Sequence, residues 1–237
     1  MYRSTVNGKG GAEVLRDLMA ERGPYLDPVP VDPEVIAHYE TRLPPLLLDL
    51  WENYGLGGFA EGRIRFILPS EYDEALQTLF RGDPDFGADC HAIAIGPFGD
   101  LMVWSERYQL LFIGLPLQMV DAPFRTHPLP GDQADVIVLN YVLKADPLVF
   151  DTADDDGEPM FARALAALGP LKRGEIYGTV PAVSVGEPLA VDRLQKVIAT
   201  EWLVERFSGG VFTLVDLSSR RVNIRKIGGP ILLEDEP

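Results

Sequence analysis

Leu46, Leu47, Leu50, Trp51 and Tyr54 recur at i, i+1, i+4, i+5 and i+8, the spacing of one helix face. Pro44 and Pro45 suit the first turn of that helix, where a missing N–H costs nothing, and Gly55 suits the left-handed residue that ends it. Shorter stripes predict further helices. One carries Val14, Leu15, Leu18 and Met19 and stops near Gly23-Pro24; another covers Glu34–Thr41. A third, capped by Ser70, holds Tyr72, Leu76, Leu79 and Phe80 on one side. An Ala-rich helix runs through Phe161, Ala164, Leu165 and Leu168 to Gly169-Pro170, and a late one aligns Val191, Leu194, Ile198 and Trp202. Pro24 to Pro33 reads as a Pro-rich connection, and Gly57-Gly58 as an extension of the turn after Gly55.

Between these stripes the period changes to two. Ile64, Phe66 and Leu68 alternate as in a strand with one buried face. His91–Ile95, Leu101–Trp104 and Leu110–Ile113 are three closely spaced apolar runs, with a turn at Gly96–Asp100, and predict an antiparallel meander. Val136–Leu143 fits a helix or a buried strand equally well. Ile176–Val185 reads as extended, and Val211–Val215 and Val222–Ile227 as strands about the polar turn Leu217–Arg221. Helices and strands interleave without a regular strand-helix-strand repeat, so the fold class expected is α+β, an antiparallel sheet with packed helices.

Charge narrows the function. In 237 residues, 21 Lys and Arg face 36 Asp and Glu, a net charge of -15. Displacing counterions from nucleic acid needs cations, so a passive nucleic-acid binder is excluded, and attraction to an anionic membrane is weak. No window approaches the ~20 apolar residues of a membrane span, and Met1–Gly11 lacks the basic-then-apolar pattern of a secretion signal, so a soluble cytoplasmic protein is expected. One cysteine permits no internal disulfide or Cys-based zinc site, and three histidines do not make a His-rich one.

No cluster of reactive residues emerges. Gly8-Lys9-Gly10-Gly11 lacks the spacing and the Ser/Thr of a phosphate loop, and Val183-Ser184-Val185-Gly186 lacks the first glycine of a nucleophile elbow. Cys90-His91 are strand neighbours, whose side chains point to opposite faces and cannot pair as nucleophile and base. Asp154, Asp155, Asp156 and Glu158 lack the alternating ligands of an EF-hand and read as a solvated acidic turn. Trp51, Trp104 and Trp202 lie in apolar stripes and read as core; Arg220, Arg221, Arg225 and Lys226 decorate a terminal hairpin. The expectation is a non-enzyme without catalytic, metal or cofactor residues. Two acidic loops, Asp83, Asp85 and Asp89, and Asp154, Asp155, Asp156 and Glu158, are the candidate contacts for a basic protein partner.

Two blocks carry a resemblance. Leu43–Tyr72, LPPLLLDLWENYGLGGFAEGRIRFILPSEY, with Phe98-Gly99-Asp100-Leu101 and Trp104, is similar to the GAD-related domain. Asp156-Gly157, Met160-Phe161, Ala164, Leu168-Gly169-Pro170-Leu171, Glu175-Ile176-Tyr177-Gly178 and Val180-Pro181-Ala182 resemble the domain that follows it in immunity proteins paired with type VI secretion DNase effectors. The first block is also similar to the wider SUKH superfamily of toxin-immunity proteins. The resemblance implies a SUKH-like α+β part over residues 1–145 and a smaller α+β part over 146–237. It implies an immunity protein that neutralises a cognate antibacterial toxin, a type VI secretion DNase, and it implies no catalytic residue. The alternative is a non-catalytic ligand- or peptide-binding regulatory module of the same fold.

Overall fold

The computed structural model describes residues 4–6, 8–180, 190–216 and 223–228. A small hairpin, β1 (Thr5–Val6) and β2 (Lys9–Gly10), leads into α1 (Gly11–Arg22), then β3 (Leu26–Val29), α2 (Pro33–Tyr39), α3 (Pro45–Tyr54), β4 (Leu56–Phe59) and β5 (Ile64–Phe66). After α4 (Asp73–Leu79) comes the meander β6 (Cys90–Ile95), β7 (Leu101–Ser105), β8 (Gln109–Gly114) and β9 (Met119–Asp121). α5 (Ala134–Ile137) continues as a π-helical stretch, Val138–Leu143, which resolves the ambiguity of that segment in favour of a helix. The remainder comprises α6 (Phe161–Leu168), β10 (Glu175–Thr179), β11 (Leu194–Ile198), α7 (Ala199–Gly209), β12 (Thr213–Asp216) and β13 (Asn223–Lys226).

Nine strands form one mixed sheet, ordered β13-β12-β9-β8-β7-β6-β5-β4-β3. Every pairing in it is antiparallel except β12 with β9, which is parallel. The fold is therefore α+β with a large sheet, consistent with the SUKH-like fold that the resemblance implies. The last two strands come from beyond residue 146 yet lie in the same sheet as β3–β9, while β10 and β11 pair separately.

The central strands are apolar on both sides and so require cover on both. Met102, Trp104 and Leu110 face a core built with α1, α3 and the helical stretch 137–143; Leu101, Val103 and Leu111 face a second core built with α4 and α7. In β6 a bulge keeps this partition. Ala92 pairs with Val103 and Ala94 with Met102, leaving Ile93 as the extra residue. Cys90 and Ala92 thus join the second core, Ile93 and Ala94 the first.

The helix predicted around Trp51 is α3, and Gly55 ends it with φ 73. Its prolines provide no side-chain cap, so an orphan amide needs a distant acceptor. Asp135 of α5, itself buried, accepts from the Leu46 N–H at 2.8 Å. Trp51 meets the Tyr39 ring edge-on at 5.7 Å. The motif Phe98-Gly99-Asp100-Leu101 has a similar use. Gly99, φ 97, brings its backbone against Ile176 and Trp202, and the buried Asp100 accepts from the Leu115 N–H at 2.7 Å.

Four sequence expectations need correction. Gly57-Gly58 is strand, not turn: a Cβ on Gly57 would meet the Tyr25 ring and Leu26 oxygen at 2.6 and 2.7 Å, so glycine admits β3 alongside β4. The Pro-rich connection contains β3 itself. Ser70 does not cap α4; it sits in a 3-10 turn, Pro69–Tyr72, and α4 starts after Tyr72. Leu194 to Ile198 are a strand paired with β10 over five residues, and the helix begins only at Ala199. The helical spacing there is accidental, since Ile198 is exposed. Residues 181–185 and 217–222, part of the extended segment and the terminal turn, lie outside the described residues.

Two measurements test this core. Trp51→Ala is expected to cost about 3–5 kcal/mol in urea denaturation; a cost below ~1 kcal/mol, typical of surface sites, would displace Trp51 from the core. Burial pushes the Asp100 carboxyl up to about 7, against ~3.9 in an unfolded chain. A raised folded value stabilises below ~3.9, and that stabilisation is lost as pH climbs through about 7. Asp100→Asn should therefore gain on the wild type steadily across that window and level off above it, as read from denaturation between about pH 5 and pH 8.

Candidate functional site

Both acidic loops picked out by sequence are turns organised by their own first aspartate. Asp83 follows α4, and its Oδ1 accepts from the N–H groups of Asp85 and Phe86 at 3.0 and 3.2 Å. Its carboxylate also receives Arg225 of β13 through two bonds, 2.5 and 2.8 Å, and the Gly228 N–H at 2.8 Å. Asp85 is shared by Arg225 at 2.7 Å and Arg125 at 2.8 Å, and Arg125 continues to Asp216 of β12 at 2.8 Å. Asp89 accepts from Ser105 at 2.9 Å and Arg107 at 3.3 Å. The Asp83 and Asp216 side chains have no exposed surface. Burial alone would raise the Asp83 and Asp85 carboxyls, but the arginine hydrogen bonds outweigh it and hold both below the usual carboxylate range. The first loop is thus an ion-pair lattice that fastens β12 and β13 to the end of α4.

In the second loop Asp154 accepts from the Asp156 and Glu158 N–H groups at 3.1 and 3.0 Å, closing the turn, and its other oxygen pairs with Arg163 of α6. The Arg163 hydrogen bond lowers its pKa. Asp155, Asp156 and Glu158 remain exposed. Just behind, Asp151 caps α6 by accepting from the Met160 and Phe161 N–H groups at 3.1 and 2.9 Å. The structure does not merge the two loops into one cluster: the first is tied to β12, β13 and Arg125, the second to α6.

A third acidic feature is invisible to a linear reading. α1, α2 and α3 enclose an open groove of about 750 Å³, with Glu13, Glu40, Asp49 and Glu52 among its walls. These carboxylates come from three helices, so no window of sequence collects them. The polar side of α3, where Asp49 and Glu52 stand three apart, is the only local signal.

Elsewhere the residues examined for chemistry have structural uses. Cys90 belongs to the second core, and burial pushes its thiol up to about 12, far from a thiolate. His91 points the other way, edge-on to Tyr39, with Nε2 2.9 Å from Glu106. Lys9 pairs with Asp17 at 2.7 Å and Glu13 at 3.5 Å on the first turns of α1. Trp51 and Trp104 are core, and Trp202 donates to the Thr179 carbonyl at 2.9 Å. Ser184, Arg220 and Arg221 lie outside the described residues. Among the described residues no group of His, Cys, Asp and Glu side chains is arranged to hold a metal, and no helix is long and apolar enough to cross a membrane.

An α+β fold in which a meander shares its second core with a C-terminal segment is the setting for two family matches. Residues 13–115 match the GAD-like domain. Residues 142–205 match the family described as T6SS immunity protein Tdi1, C-terminal, so the two matches follow one another in the order the sequence resemblance implies. The crystal structure of Atu4351 from Agrobacterium tumefaciens superposes with a TM-score of 0.83 at 28% identity, over 90% of this chain and 97% of that one. No curated protein matches.

Removing one member of the buried lattice strands the other. Asp83→Ala leaves Arg225 partly unpaired and is expected to cost about 3–5 kcal/mol in chemical denaturation. Hydrogen exchange should quicken first in β12 and β13. A cost near zero would mean that the lattice does not fasten the hairpin.

Proposed function

We propose that the protein is an immunity protein that binds and neutralises a cognate antibacterial toxin, with a type VI secretion DNase as the target. The observation that carries the reading is the match of residues 142–205 to the Tdi1 immunity C-terminal domain. The GAD-like match ahead of it agrees with the domain order that the resemblance implies. In this reading residues 1–145 and 146–237 are the GAD-related and immunity-type modules, the protein acts in the cytoplasm, and it acts by binding rather than by turnover. It takes neither a cofactor nor nucleic acid.

Charge supports the nuclease as target. A DNase presents cations to its substrate, and a partner of net charge -15 competes for them. Complementarity of this kind raises the encounter rate more than the final affinity. Direct contact is assigned to Asp155, Asp156 and Glu158, whose carboxylates are exposed, with Asp154 shaping their turn. Asp83, Asp85 and Asp89, whose oxygens are already engaged, serve by holding the neighbouring surface in place.

Co-purification with the product of the neighbouring gene, followed by DNA cleavage with and without this protein, tests the class. Stable association and suppressed cleavage are expected; cleavage untouched by an equimolar amount would overturn the reading. The surface is tested by the combined variant Asp155→Asn, Asp156→Asn, Glu158→Gln. Association should slow roughly threefold or more at low salt, with a flatter salt dependence and little change in dissociation. An unchanged association rate would remove this turn from the steering surface.

A further inference from the structure

A buried charge is normally paired, because leaving water costs an ion several kcal/mol. Arg65, a half-buried residue whose Nε is fully enclosed, departs from that rule. It stands on β5, opposite Gly58 on one side and Ile95 on the other, and reaches towards the C-terminal module. Nη1 donates to the Glu175 carbonyl at 2.6 Å and Nη2 to the Gly96 carbonyl at 3.0 Å, while Nε is buried without an acceptor. No carboxylate among the described residues forms an ion pair with it. Glu175, the acid that acts on it through space, spends its carboxylate on the Lys172 N–H at 2.8 Å. Burial accordingly pushes the Arg65 guanidinium down to about 10, with only Tyr72, Tyr177 and Glu175 pulling the other way. Two of its five N–H groups are satisfied by neutral oxygens, and among the described residues no carboxylate bonds to it.

The same guanidinium lines a cavity of about 110 Å³ between the two modules, open to solvent at one side. Phe161, Leu165, Leu171 and Tyr177 wall it from the C-terminal module, and Gly57 and Gly58 from β4. Lys172 and Arg173 line it too, as do Asp27 and Glu61, so this recess of a strongly acidic protein carries three cations against two carboxylates. Its size is a little below the ~150 Å³ of an apolar cavity that takes benzene. Cavities of this kind, mostly apolar with one charged group and placed at a module boundary, are where small ligands bind. Apolar walls disfavour a phosphate or other dianion and suit a monoanion with a hydrocarbon body.

We propose that this cavity binds a small organic carboxylate, its carboxyl group taken by Arg65 and its apolar body by Phe161, Leu165 and Leu171. Such a ligand supplies the missing counter-charge and touches both modules, so it strengthens their junction when bound. The site is separate from the acidic surfaces assigned to the toxin and stands or falls independently of them.

The test uses the full chain with butyrate and benzoate as probes and butyramide and benzamide as their neutral isosteres, each up to about 10 mM, a range that captures weak binding. Both acids are expected to raise Tm and shift the backbone amides of Gly57, Gly58 and Gly174, with the neutral isosteres at least about tenfold weaker. Arg65→Met should abolish the preference for the acid. Should that variant fail to fold, Leu165→Trp fills the cavity without touching Arg65 and is expected to remove binding of both acids. The proposal is overturned if neither acid binds saturably, if acid and amide bind alike, or if the shifts persist in Leu165→Trp.

Discussion

β6, β7 and β8 present apolar side chains to both faces of the sheet, and that single condition organises the molecule. A strand with Met102 and Trp104 on one side and Leu101 and Val103 on the other cannot leave either side in water without losing about 1.5–3 kcal/mol for each large side chain exposed. The first face is closed by α1, α3 and the helical stretch that ends at Leu143. The second is closed by α4, but also by Ile176, Ala199, Leu203, Phe207, Phe212 and Leu214 from the far end of the chain. The two matched segments are therefore thermodynamically joined: part of the solvent-excluded surface of the meander is supplied by residues that follow the meander by more than fifty positions.

A net charge of -15 says little about where a partner sits, because carboxylates here have three distinct uses. Asp83, Asp85 and Asp216 are structural anions, consumed by Arg125 and Arg225. Asp100, Asp135, Asp151 and Asp154 are acceptors for backbone amides that helices and turns leave over. Exposed carboxylates such as Asp155, Asp156 and Glu158 project a field into solvent. The converse holds at Arg65, whose bonds go to two backbone carbonyls, whereas Arg125 and Arg225 are each met by aspartates.

Much of the fold was legible because local and tertiary preferences agree. The Trp51 helix, the meander and the Ala-rich helix each show a period, a stop signal and a buried face that coincide. Legibility failed where a tertiary neighbour decides. β4 needs two glycines because β3 closes on Gly57 and β5 on Gly58, a fact of packing rather than of turn chemistry. β11 carries a helical spacing by chance, and its pairing with β10 overrides it. For the sites, sequence located the acidic loops but could not separate an aspartate facing solvent from one facing Arg225, since that arginine lies about 140 residues downstream. The α1–α3 groove and the Arg65 cavity were illegible for the same reason: each is assembled from segments that no linear window joins.

The parallel pairing of β12 with β9 has a consequence for how the chain is made. A ribosome releases β9 long before β12 exists, so during synthesis β9 offers a bare edge, and the second core lacks its outer wall. A nascent or prematurely terminated product therefore carries a sticky strand and an oily face together, the combination that chaperones and proteases recognise. The last-made strands thus act as a seal of completion: a chain translated through β13 hides the features that would mark it for destruction.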